Sequence, residues 1–109
     1  MSVTIVIIGN ITKNPELATA QNGVTYSKFN LAVDRYGQRD KTDYYTIVAW
    51  DKIAENITKF TEKGSLICVV GTVYTNFAKR EDGTSNNTFE VQAHNVKFLS
   101  KSKGGTNNG

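Results

Sequence analysis

Two apolar runs, each interrupted by a glycine, constrain the fold of this chain most strongly. Residues 3–8 and residues 66–70 are rich in β-branched side chains, and Gly9 and Gly71 follow them directly. β-Branched residues favour strands, and a glycine inside a strand marks a bulge or a sharp bend. Strands that coil and bend at such points are what a small closed barrel requires. The two runs therefore predict strongly coiled strands.

The remaining patterns supply further strands and one helix. Apolar and polar residues alternate over residues 25–36, and strand-forming residues also occupy residues 43–50, 65–77 and about 89–99. Residues 51–60 instead repeat apolar side chains at helical spacing, with Gly64 as the predicted helix stop. Turns are predicted at residues 21–23 and in polar loops at 37–42 and 79–87.

This order predicts an all-β domain with one helix. The best match is the OB-fold, a five-stranded Greek-key barrel, with the helix between the third and fourth strands. Another small β-barrel or an α+β sheet stays open on the pattern alone. Residues 1–99 form the predicted domain, and residues 100–109 a disordered polar tail.

The strand at residues 43–50 is apolar or aromatic on both faces. Tyr45, Ile47 and Ala49 alternate with Tyr44 and Trp50 on the opposite face. One face can pack on the core of the domain. The other needs a second sheet, a second subunit or a ligand with flat apolar surfaces, such as nucleic-acid bases. An ordinary core role for Tyr44 and Trp50 is the alternative.

Composition narrows the functional classes. The 109 residues carry a net charge of +3 with a pI of about 9.0, which permits a polyanionic partner. One cysteine and one histidine allow neither an internal disulfide nor a metal site, and no nucleophile or phosphate-loop motif occurs. We expect no cofactor and no enzymatic activity. The start of the chain is not a signal peptide and no apolar run would span a bilayer, so we expect a cytoplasmic protein without membrane association.

The chain also resembles the bacterial and phage single-stranded DNA-binding proteins. The resemblance covers roughly residues 3–99, in family order and with family-like spacing. It is carried by five stretches: VIIGNITKNPEL at residues 6–17, FNLAVDR at 29–35, WDKIAEN at 50–56, KGSL at 63–66, and EVQA at 90–93 continuing to Phe98-Leu99.

The resemblance implies an OB-fold that wraps single-stranded DNA without catalysis during replication, recombination or repair. It implies a homotetramer, with a homodimer as the main alternative. The family commonly ends in an acidic tip that recruits other proteins, and residues 101–109 contain no acid, so such partners are doubtful. A second functional hypothesis is an OB module for protein assembly, with the aromatic strand as a subunit interface.

Candidate DNA contacts combine aromatic side chains for base stacking with cations for phosphates. By family position, Tyr44 and Trp50 match the stacking aromatics, whereas Tyr36 and Phe77 stand one place earlier than the usual aromatic. Core or loop packing is the alternative for these two. The complete predicted set is Tyr36, Tyr44, Trp50, Tyr74 and Phe77 with Lys28, Arg35, Arg39, Lys41, Lys52, Lys79 and Arg80.

Overall fold

A computed structural model describes residues 2–100, apart from the side chains at positions 39, 76, 77, 86 and 87. The tail predicted for residues 100–109 therefore falls outside the described residues, except for Ser100. No described helix is both long and apolar enough to span a bilayer. The described elements are β1 (Thr4–Ile11), β2 (Ala18–Thr19), β3 (Thr25–Arg35), β4 (Gln38–Trp50), α1 (Asp51–Phe60), β5 (Leu66–Lys79) and β6 (Ser85–Phe98).

The five long strands close into a barrel. The sheet order is β1-β5-β6-β4-β3, and β1 returns to pair with β3 at Asn10 and Ile11. Only the β4–β6 pair is parallel among the pairings of the described strands. The predicted OB-fold barrel is confirmed, with α1 between the third and fourth long strands. The two-residue strand β2, which the sequence did not predict, extends the edge beside β3.

Both predicted bending glycines lie where strands approach too closely for a side chain. A Cβ atom on Gly9 would lie 2.7 Å from the carbonyl oxygen of Ala32 on β3. A Cβ atom on Gly71 would collide with the carbonyl oxygen of Gln92 on β6, and the β5–β6 register shifts between Val70 and Gly71. These two positions let β1 reach β3 and let β5 coil against β6.

The helix covers one region of the barrel core. Its residues Ala54 and Ile57 are fully buried together with barrel residues that include Leu31, Ile47 and Val91. The helix ends at Phe60, where the Thr61 hydroxyl donates to the carbonyl oxygen of Ile57 at 2.6 Å. The prediction that Gly64 stops the helix is wrong. Gly64 has a positive φ of 93°, but it lies in the turn that follows.

Two predicted loops are shorter than the sequence suggested. Strand β4 begins at Gln38, because Tyr36 and Gly37 form a tight turn in which Gly37 has a φ of 74°. The β3–β4 register then shifts between Asp34 and Arg35. In the second hairpin, β6 already begins at residue 85 after a turn at Gly83, with a φ of 89°. Most polar residues of the two predicted loops therefore belong to paired strands at the ends of the two hairpins.

Ser27 provides a test of core energetics. Its hydroxyl is fully buried opposite Ala49 and is the single buried side-chain polar atom of the described residues without a hydrogen-bond partner. A buried hydroxyl that lost its water partners costs roughly 1–3 kcal/mol. We therefore expect Ser27→Ala to raise the free energy of unfolding by about 1 kcal/mol in urea denaturation, the low end of that range.

Thr61→Val is the matched control, because the buried Thr61 hydroxyl does have a partner. Its loss should lower the free energy of unfolding by about 1 kcal/mol, the usual net contribution of one hydrogen bond. A clear destabilisation by Ser27→Ala would contradict the assignment of an unsatisfied hydroxyl.

Candidate nucleic-acid interface

The outward face of the β3–β4 pair gathers aromatic, polar and cationic side chains into one row. Leu31 and Ile47 point into the core, so the residues with even numbers on both strands point outward. We call this row the outer stripe. It consists of four directly opposed pairs: Tyr26 with Trp50, Lys28 with Val48, Asn30 with Thr46, and Ala32 with Tyr44.

Aromatic rings occupy both ends of the outer stripe. At one end, the rings of Tyr26 and Trp50 lie 5.2 Å apart between centroids, tilted by 38°, and Trp50 is half-buried. At the other end, Tyr44 is 66% exposed. The rise of a strand separates Tyr44 from Trp50 by roughly 20 Å. Neither Tyr44 nor Trp50 belongs to the buried core cluster.

The sequence prediction missed Tyr26. Its even position in the alternating segment 25–36 was the available signal, because it shares that face with Lys28 and Asn30. It lies opposite Trp50 only because the β3–β4 register brings the two positions together.

A groove of about 360 Å³ lies beside the middle of the outer stripe. Its lining includes Lys28, Asn30 and Thr46 from the stripe. The β1–β2 connection contributes residues 12–14 and Glu16. Within the stripe, the Thr46 hydroxyl donates to Asn30 Oδ1 at 3.1 Å. Lys13, which is not among the DNA contacts predicted from the sequence, therefore joins Lys28 at this surface.

One predicted cation is engaged in an ion pair. Arg35 binds Asp43 through two contacts, Nη2 to Oδ1 at 2.6 Å and Nε to Oδ2 at 3.2 Å. These hydrogen bonds and the charges raise the pKa of Arg35 and lower that of Asp43. Asp43 lies opposite Val33, on the face of the hairpin away from Tyr44. The structure thus places Arg35 apart from the outer stripe.

The other predicted residues lie outside the outer stripe. Tyr36 is completely exposed at the tip of the β3–β4 hairpin, and Lys41 is exposed on β4. Lys52 is exposed in the first turn of α1, two residues after Trp50. The side chain of Arg39 falls outside the described part of the structure.

Four predicted contacts belong to the β5–β6 hairpin. Tyr74 is 47% exposed opposite Glu90, and Lys79 and Arg80 are exposed near the hairpin end. Arg80 Nη1 donates to Thr84 Oγ1 at 3.4 Å. The side chain of Phe77, also on β5, lies outside the described ones. Among the residues that are described, no group of three His, Cys, Asp or Glu side chains could hold a metal ion.

Comparison with known proteins gives one consistent similarity. The model of the single-strand binding protein family matches residues 3–99. The chain is 38% identical over 112 residues to the single-stranded DNA-binding protein of Halalkalibacterium halodurans, covering 94% of this chain and 66% of that protein. It is 38% identical over 106 residues to single-stranded DNA-binding protein A of Bacillus subtilis, covering 93% of this chain and 61% of that protein.

A solved structure shows the same fold. The crystal structure of a mitochondrial single-stranded DNA-binding protein from S. cerevisiae, Rim1, superposes with a TM-score of 0.80 at 22% identity. The match covers 93% of this chain and 98% of that one. The chain thus shares its whole barrel with this structure, while it spans less than two thirds of the two bacterial relatives.

The ion pair predicts how Asp43 titrates. Arg35 lowers the pKa of Asp43 in the folded protein. The contribution of this ion pair to folding stability is therefore complete above the pKa of Asp in the unfolded chain, about 3.9, and is lost as pH falls through the lower pKa of the folded state. We expect Arg35→Gln to raise the pKa of Asp43 back toward its ordinary value. A pH titration of the carboxyl carbon by nuclear magnetic resonance measures this shift.

Asp82 is the internal control for that titration. Its pKa is also lowered, but by hydrogen bonds from the hydroxyl and backbone N–H of Thr84. Arg35→Gln should leave the Asp82 titration unchanged. Equal shifts at both carboxyl groups would show a general electrostatic effect and contradict a specific pair.

Proposed function

Because the chain belongs to the single-strand binding protein family, we propose that it binds single-stranded DNA without catalysis, with little dependence on sequence. The observation that carries this proposal is the outer stripe, where the exposed ring of Tyr44 and the half-buried ring of Trp50 flank a centre that contains Lys28. Single-strand binders combine aromatic platforms with a cationic groove, since every base has a π-face and every nucleotide a phosphate. The biological setting that we propose is replication, recombination or repair.

Base stacking is the proposed role of the two ends of the outer stripe. Tyr44 offers a largely exposed ring. Trp50 is held at a tilt against Tyr26, which fixes its orientation before a base arrives. Each stacked base contributes roughly 1–3 kcal/mol and every base can stack, so binding at these rings tolerates any sequence.

Phosphate contacts are the proposed role of the exposed cations. Lys28 lies within the stripe, Lys41 is exposed on β4 and Lys52 is exposed in α1. Lys79 and Arg80 lie on the β5–β6 hairpin. We propose a smaller contribution from Arg35, because a carboxylate already occupies its guanidinium group. Each neutralised phosphate should contribute about −0.7 to the slope of log affinity against log salt.

A fluorescence titration tests the proposed function directly. Trp50 is the single tryptophan of the chain, so its emission reports on the stripe alone. Addition of an oligothymidine should quench that emission because a base stacks on the indole ring. An unchanged spectrum together with an unchanged electrophoretic mobility would reject the function.

Tyr44→Ala tests the stacking contribution. We expect this variant to weaken binding of an oligothymidine by roughly 1–3 kcal/mol, the contribution of one stacked base. Its melting temperature should hardly change, since the ring is mostly exposed. Fluorescence anisotropy and thermal denaturation measure the two quantities.

Tyr44→Phe is the matched control, because it keeps the ring and removes only the hydroxyl. It should bind like the wild type. Equal losses in the Ala and Phe variants would assign the effect to the hydroxyl and would argue against stacking.

A second surface supports the proposed self-association. On β1, Val6 and Ile8 point outward and are 61% and 53% exposed. Residues Thr4–Asn10 pair with β5 on one side, and the pairing with β3 involves only Asn10 and Ile11. Exposed apolar residues on a strand with one unpaired edge favour association with a second copy of the chain. We propose a homotetramer, with a homodimer as the alternative.

This surface also weakens the hypothesis of a pure assembly module. In that hypothesis, the aromatic strand β4 forms the subunit interface. The two exposed aliphatic side chains Val6 and Ile8 lie on β1 instead. Tyr44 lies in a row that also contains Lys28, Asn30 and Thr46, which suits a solvated ligand better than a dry interface.

Ile8→Asp tests the assembly. A buried unpaired carboxylate is costly, so this variant should dissociate the assembly into smaller species in sedimentation velocity at micromolar concentration. Leu17→Asp is the control, because Leu17 is an exposed apolar residue of the β1–β2 connection. A wild-type protein that sediments as a monomer would overturn the proposal.

A further inference from the structure

We infer that the groove between the β1–β2 connection and the outer stripe holds a backbone phosphate of the bound strand, and that Lys13, Lys28, Asn14 and Asn30 provide its donors. This inference rests on the proposed function and assigns one part of the ligand to one place. The rings at the ends of the stripe would bind bases, and the groove between them would bind the chain that links those bases.

The wall of the groove is fixed before any ligand binds. The backbone N–H of Thr12 donates to the carbonyl oxygen of Asn30 at 3.2 Å, which ties the connection to β3. The backbone N–H of Gly64 donates to the carbonyl oxygen of Ile11 at 2.7 Å. The side-chain Nδ2 of Asn10 donates to the carbonyl oxygen of Gly64 at 3.0 Å. A groove held in this way loses little conformational entropy when a ligand enters.

The hydrogen bonds of the two asparagines decide what the groove can offer. Asn14 Oδ1 accepts from the backbone N–H of Lys63 at 2.7 Å, and Asn30 Oδ1 accepts from the Thr46 hydroxyl at 3.1 Å. Both amide oxygens thus face protein donors. Among the described residues neither Nδ2 group has a partner, so the amides are left with N–H groups to donate.

The charges of the groove favour an anion. Lys13 and Lys28 line it, both are exposed, and neither forms an ion pair with another described residue. Glu16 is the one acid in the lining, which leaves an excess of one positive charge. A phosphodiester has oxygen acceptors and no donor, so it complements two ammonium groups and two amide N–H groups.

A base would find less support in this groove. Phe29 is the one aromatic residue in its lining, and its side chain is almost completely buried on the core side of β3. No exposed ring face is therefore offered within the described lining. The groove adjoins Asn30 and Thr46, the middle of the stripe, where the backbone of a strand stacked at both ends would pass.

Salt dependence tests the assignment. The dissociation constant of an oligothymidine is measured by fluorescence anisotropy over a range of NaCl concentrations for the wild type and for the double variant Lys13→Gln/Lys28→Gln. Loss of one phosphate contact should reduce the magnitude of the log–log slope by about 0.7. Lys59→Gln is the matched control, since Lys59 lies above the ring of Phe60 and does not line the groove.

Glu16→Gln separates a phosphate from other groups. Removing the one carboxylate should strengthen binding several-fold at low salt if the groove holds an anion. If the groove held a base edge or a sugar hydroxyl through that carboxylate, the same variant would weaken binding. All substituted side chains are exposed, and thermal denaturation verifies that each variant is folded.

Three results would overturn the inference. They are an unchanged slope in the double variant, a slope change of the same size in Lys59→Gln, or weaker binding by Glu16→Gln. In each of these cases the proposed function would still stand, provided that the wild type binds the oligothymidine and that Tyr44→Ala weakens this binding. A wild-type protein that does not bind the oligothymidine at any salt concentration would refute both the inference and the proposed function.

Discussion

The close approach of backbones at two glycines is the constraint on which the rest of the structure depends. β1 is the strand that joins β5 to β3, and it reaches β3 directly after Gly9. A side chain there would meet the carbonyl oxygen of Ala32, and one at Gly71 would meet that of Gln92. Either contact would push strands apart, because a backbone carbonyl within a sheet cannot move aside as a flexible side chain can. The barrel can close because neither Gly9 nor Gly71 has a Cβ atom.

The tight turn at Tyr36 and Gly37 joins β3 directly to β4, and the register of this hairpin serves the core and the candidate site together. It buries Leu31 and Ile47 on one face and places Tyr44, Lys28 and Trp50 on the other. A slip of one residue would exchange the two faces. The energy that keeps apolar side chains inside the barrel therefore also keeps the aromatic row outside, so the candidate site needs no separate stabilisation.

Local pairing decides which charges can meet a polyanion. Arg35 and Lys28 belong to the same strand, but Arg35 lies against Asp43 across the hairpin, while Lys28 lines the groove without an ion pair among the described residues. An exposed ion pair contributes little to stability, yet it occupies a guanidinium group that could otherwise bind a phosphate. The net charge of +3 thus says less about binding than the position of each cation does.

The sequence by itself determined the order of the five long strands and the helix along the chain, because alternation and helical spacing are local patterns. It also predicted bends at Gly9 and Gly71, but the carbonyl oxygens that exclude a side chain at these positions belong to other strands. Alternation put Tyr44 and Trp50 on the face opposite Tyr45 and Ile47, but the fold decided which of these faces points outward. Tertiary structure alone decided that Tyr26 meets Trp50, that Asp43 holds Arg35 and that Lys13 shares a groove with Lys28. These contacts join residues that are 8 to 24 positions apart. Register and barrel closure bring such residues together, and no local pattern encodes either.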